Sequence, residues 1–80
     1  MDKKEPDIRA IAQSWCIKNK ILVYAVPINN TTLRIVINYK NKPPIIGEKI
    51  YNSKGGKAKE DQWWEVVKEL YVAYYKKEND

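Results

Sequence analysis

No histidine occurs in this eighty-residue chain. The commonest general base and metal ligand is therefore missing. Cysteine occurs once, at Cys16, so no intramolecular disulfide can form. That thiol has no histidine to activate it, and its position beside Trp15 in a helical pattern reads as a small buried side chain. Phenylalanine is absent too, while three Trp and six Tyr are present. The core must then be built on amphipathic rings whose N–H and O–H groups need partners. No apolar run approaches the roughly 20 residues that cross a membrane, and the opening MDKKEPD is unlike a signal peptide. These gaps point away from an enzyme, a cofactor and a membrane protein. The expectation is one intracellular, cytoplasmic domain over residues 1–80, with 1–5 and 77–80 frayed.

Acids are scarce through most of the chain. From Ile8 to Lys59 there are ten basic residues and a single acid, Glu48. From Glu60 onward six acids face three lysines. A basic body with an acidic last helix gives a directed field, which suits a polyanion as partner. An ordinary lysine-rich surface would show the same surplus.

The hydrophobic pattern sets the order of elements. Ile8, Ile11, Ala12 and Trp15 mark one face of a first helix, with Pro6 and Asp7 at its start and Asn19 at its end. Arg9 and Gln13 point elsewhere, into water. Ile21 to Pro27 is β-branched and aromatic, a strand. Asn29-Asn30 is a turn signal. From Thr31 to Tyr39 the chain alternates, with Leu33, Ile35, Ile37 and Tyr39 on one face and Thr32, Arg34, Val36 and Asn38 on the other. The second set is expected on an exposed sheet face. Pro43-Pro44 opens a third, edge-like strand through Ile45, Ile46, Ile50 and Tyr51. A final helix is expected from Lys57 to Lys76. Its stripe of Trp63, Val66, Val67, Leu70 and Tyr74 faces the core, with Trp63 as keystone. The fold class is α+β: an α-β-β-β-α two-layer sandwich, three antiparallel strands with both helices on one face.

Two constellations remain for function. Ser53-Lys54-Gly55-Gly56-Lys57-Ala58-Lys59 places three lysines at the entry to the last helix, where they can span adjacent phosphates. It is not a nucleotide-hydrolase phosphate loop, because Ala58 stands where Ser or Thr must follow the lysine. Glu60, Asp61 and Glu65 complement the helix dipole. The second constellation is the ridge Trp64, Tyr71 and Tyr75, beside the core stripe. It either packs under the first helix, forms a dimer or partner surface, or stacks bases.

The element order, the Trp15-Cys16 pair followed by Lys18 and Lys20, and the Ala58-Lys59 entry to the last helix resemble the double-stranded RNA-binding domain. The chain departs from that family in having Gln62-Trp63-Trp64 where paired alanines are usual. It also has a short loop without histidine at Ile28 to Thr31. The resemblance implies a non-catalytic module that reads duplex RNA by shape and phosphates. Lys54, Lys57 and Lys59 would hold phosphates; Arg9, Gln13, Asn29, Asn30 and Thr31 would reach the minor groove. Recombinase and phage-type DNA-binding domains resemble the same architecture, so DNA is the other nucleic-acid partner. A protein partner or homodimer through the ridge is the alternative function.

Overall fold

The computed structural model describes residues 7–79. Expectations for Met1 to Pro6 and Asp80 fall outside them. The order is α1 (Ile8–Lys18), β1 (Ile21–Pro27), β2 (Thr32–Tyr39), β3 (Ile45–Asn52) and α2 (Trp63–Asn79), with one 3-10 turn over Lys59–Asp61 before α2. The strands form a single antiparallel sheet in the order β1-β2-β3. This is the α-β-β-β-α sandwich that the pattern predicts.

Local chemistry places most boundaries. Asp7 caps α1, accepting from the Arg9 N–H at 3.0 Å. Asn19 closes it, its amide nitrogen donating to the Trp15 carbonyl at 2.8 Å. The β1–β2 loop is held by one side chain: Asn29 Oδ1 accepts from the N–H and the hydroxyl of both Thr31 and Thr32, at 2.9 to 3.1 Å. β3 bulges opposite Ile35, because Arg34 pairs with Ile50 but Val36 with Ile46. Gly47 sits in that bulge. A Cβ there would lie 2.9 Å from the Ile35 carbonyl oxygen, so only glycine permits the close approach.

α2 begins six residues later than the expected Lys57. Ala58 and Gln62 are extended, and the Lys59–Asp61 turn is isolated between them. Gln62 then accepts from the N–H groups of Glu65 and Val66 and starts the helix. The half-buried Trp63 indole needs an acceptor and finds the Ser53 carbonyl at 2.9 Å. That bond fixes the loop over the helix start. At the other end α2 continues past Lys76 to Asn79. Glu78, in this last turn, is tied to Tyr39 and Lys40.

The helices run parallel. Arg9 reaches Glu65 near both helix starts, and Trp15 meets Tyr75 edge-on at 5.6 Å further along. The buried centre is Ala12 and Cys16 of α1, Ile21 and Val23 of β1, Ile35 of β2 and Tyr71 of α2. Two expectations need correction here. Ile8 and Ile11 are exposed, and the buried line of α1 is Ala12–Cys16, whose small side chains let α2 approach closely. In α2 the buried residue is Tyr71, while Trp63 is only half-buried at the margin. Tyr71 is the keystone because its hydroxyl makes two bonds. It accepts from the Val23 N–H at 2.9 Å and donates to the Val23 carbonyl at 3.1 Å. β1 is an edge strand, so Tyr71 satisfies backbone groups that no neighbouring strand reaches.

Removing that hydroxyl leaves a buried N–H and a buried carbonyl without a partner. Tyr71→Phe should destabilise the fold by roughly 1–3 kcal/mol. Urea unfolding measures it, and an unchanged midpoint would show that the two bonds contribute nothing.

Candidate nucleic-acid interface

The parallel helices and the alternating strands bring four segments to one end of the sandwich. These are the start of α1, the β1–β2 loop, the loop after β3, and the start of α2. Direct bonds tie them together. The Ser53 N–H donates to the Thr31 carbonyl at 2.8 Å. The Arg9 guanidinium donates to Glu65 Oε1 at 3.1 Å. Gln62 Nε2 donates to the Gly56 carbonyl at 3.2 Å. Gly55 adopts φ 77°, and a Cβ there would lie 2.7 Å from the Trp64 ring. A left-handed, crowded position of this kind suits glycine alone.

Sequence-predicted residues thus share an end, but their chemistry differs. Lys54 and Lys57 lie on the exposed loop with no ion pair among the described residues. Lys59 sits in the 3-10 turn and pairs with Glu69 at 3.1 Å. None of the three lies in α2 itself, so the helix dipole is not aimed through them. Arg9 is held between Asp7 and Glu65. Asn29 spends its side-chain oxygen on the loop, leaving Asn30 and Thr31 as the outward residues of that turn. Gln13 opens to solvent on the outer side of α1, beside Ala10, Ser14 and Ile17. Lys49, which the sequence reading left unassigned here, also comes to this end. It lies 3.7 Å from Asp61 and 4.8 Å above the Tyr51 ring.

The ridge does not form a surface. Tyr71 is 3% exposed, Tyr75 is covered by Trp15, and Trp64 packs against Trp63 at 5.5 Å. α1 covers Tyr71 and meets Tyr75 through Trp15, while Trp64 and Tyr75 both stay partly exposed.

The opposite end holds a basic cluster that no local motif announces. Lys18 ends α1, Lys20 and Lys40 occupy left-handed turns, and Lys76 and Lys77 lie in the last turn of α2. The Lys40 N–H donates to the Lys20 carbonyl at 2.7 Å, joining the two turns. Lys42 and Lys77 flank a cleft floored by Tyr39 and Tyr74. The charges come from three distant segments, and summing charge along the sequence reports none of this grouping. Glu78 is the acid set among them. It accepts from the Tyr39 hydroxyl and lies 3.4 Å from Lys40 Nζ.

The Tyr39 hydrogen bond holds the Glu78 carboxyl below its ordinary range, aided by Lys40 and opposed by partial burial. The same bond raises the Tyr39 phenol, and a separate hydrogen bond from Lys40 to Glu78 is the first cause of the rise at Lys40. Burial raises the Cys16 thiol, and the Glu78 charge adds to it. Cys16 Sγ donates to the Tyr71 carbonyl at 3.5 Å, which is the behaviour of a packing residue rather than a nucleophile. Comparison with protein families, with curated proteins and with solved structures finds no match. Among the described residues no helix is long and apolar enough to cross a membrane.

A carboxyl with a lowered folded pKa adds stability above its unfolded value and loses it as pH falls through the folded value. Glu78→Gln should therefore lower the urea midpoint at about pH 7, and the gap to the parent should close below the carboxylate range. A gap that stays constant into strong acid would show that Glu78 acts by shape and not by charge.

Proposed function

We propose that this chain is a small, non-catalytic nucleic-acid-binding domain that reads duplex RNA through phosphates and shape and acts in the cytoplasm. The observation that carries the reading is the Ser53–Thr31 bond at 2.8 Å. It joins the lysine loop to the β1–β2 loop, bringing the exposed loop that carries Lys54 and Lys57 to the end of the sandwich that carries Asn30 and Thr31. Lysines supply sequence-independent attraction to phosphate. Amide and hydroxyl groups beside them suit the shallow minor groove of an A-form helix and its 2′-hydroxyls. Arg9 and Lys59 contribute less in this reading, because carboxylates already hold them. The chain has no histidine and its thiol is buried, which favours a binding module over an enzyme.

Duplex DNA is the nearest competitor. A sheet that reads DNA places donors and acceptors in the major groove. Here the helix-free face of the sheet presents Leu22, Tyr24, Val26, Ile46 and Ile50. That composition disfavours groove reading by the strands and leaves the loop rim as the contact.

Gel-shift titration with duplex RNA, duplex DNA and single strands tests the reading. Duplex RNA should bind most tightly, with affinity falling steeply as salt rises. The double variant Lys54→Glu, Lys57→Glu should weaken duplex binding at least about tenfold with an unchanged circular dichroism spectrum, whereas Lys59→Glu should have a smaller effect. If the double variant binds normally and Lys42→Glu, Lys77→Glu does not, the contact lies at the opposite end. If no nucleic acid binds at low salt, the function is wrong.

A further inference from the structure

The sheet is covered on one side only. Cross-strand pairing puts Leu22, Tyr24 and Val26 of β1 on the side away from the helices. With them lie Thr32, Arg34, Val36 and Asn38 of β2, and Ile46, Ile50 and Asn52 of β3. Val36 is 7% exposed although no helix covers it, because Tyr24 and Ile46 close over it from either side. The five other apolar residues are 37% to 56% exposed and surround it. Their neighbours at the margin are polar: Thr32, Asn52, and Asn38, whose amide donates to the Tyr24 hydroxyl at 3.2 Å. An apolar centre with a polar rim is the make-up of an interface rather than of a solvated sheet.

We propose that this face is the contact between two copies of the chain, packed sheet on sheet about a two-fold axis. The area suits a weak dimer. At roughly 200 Å² for Tyr24 and about 120 Å² for each aliphatic side chain, these exposures leave on the order of 300 Å² of apolar surface. Two copies would then bury roughly 600 Å² of it. At an apolar share of about 60–65%, the whole contact comes to roughly 1,000 Å², the size of a weak, concentration-dependent interface. Charge favours a second copy over a charged partner. Arg34 is the one formal charge among the face positions named, so little there would steer an acidic or basic protein, and two like faces meet with little repulsion. Arg34 Nε is shielded and has no hydrogen-bond acceptor among the described residues. The loop rim with Lys54 and Lys57 lies at an end of the sandwich, so the paired form leaves it open.

Sedimentation velocity on the 80-residue chain, from about 10 μM to about 1 mM and at low and high salt, tests the proposal. A dimer should appear as concentration rises. It should strengthen with salt, which screens the repulsion between two copies of charge +5. The variant Ile46→Thr, Ile50→Thr keeps β-branched residues at both positions and should weaken the dimer at least about tenfold. If circular dichroism shows that variant unfolded, Leu22→Thr with Val26→Thr on β1 carries the same expectation. A strict monomer at the highest concentration in both salts overturns the proposal. Dimerisation equal to the parent in folded Thr variants also overturns it, by placing the contact elsewhere. Neither result bears on duplex binding, which the loop variants test separately.

Discussion

One phenolic hydroxyl joins the two layers. Tyr71 satisfies both the N–H and the carbonyl of Val23 on the free edge of β1. An edge strand with open backbone groups is costly to bury and prone to pair with other chains. By occupying those groups, a helical side chain takes the place of a further strand along that part of β1. The ring fills the seam among Ala12, Cys16, Ile21 and Ile35. The geometry leaves α1 little choice: only small residues fit at Ala12 and Cys16, and the Cys16 thiol comes within 3.5 Å of the Tyr71 carbonyl. A tyrosine rather than a phenylalanine has a physical use at position 71, since the buried ring carries a polar handle that the sheet edge requires.

The two ends of the sandwich handle charge differently. At the loop end, acids neutralise much of what the sequence counts as basic. Arg9, Lys49 and Lys59 each have a carboxylate within 4 Å, and Lys54 and Lys57 remain. At the other end, among the described residues, Glu78 is the acid that sits among the lysines, and it binds Tyr39 and Lys40. A polyanion docking on the loop rim would meet Lys54 and Lys57 as the cations without a carboxylate partner among the described residues, set among polar groups that suit recognition by shape. The far lysines would add a longer-range pull that salt removes.

Much of the fold was legible because the periodicities are clean. The alternation from Thr32 to Tyr39 sorted the two sides of the central strand, although Val36, expected to be exposed, is buried between Tyr24 and Ile46, and Asn19 marked the end of α1. The start of α2 was hidden. Lys57 to Gln62 has neither an apolar period nor a proline, and the Trp63–Ser53 bond that fixes the boundary links residues ten apart. The keystone of α2 was hidden for another reason. Apolar residues cover more than half of that helix, so periodicity finds a wide stripe without its centre. The centre depends on where α1 lies, and α1 packs on the Tyr71–Tyr75 side.

The sequence by itself determined the order of elements, the inward and outward residues of β2, the absence of histidine chemistry and the surplus of lysine. Each follows from local spacing or composition. Tertiary structure alone decided which aromatic residue became the centre, which lysines met carboxylates, and that the lysine loop adjoins the β1–β2 loop. It also decided that five large apolar residues share an uncovered sheet face. Those outcomes depend on strand register and on parallel helix packing, which bring together residues far apart in the chain and which no local pattern encodes.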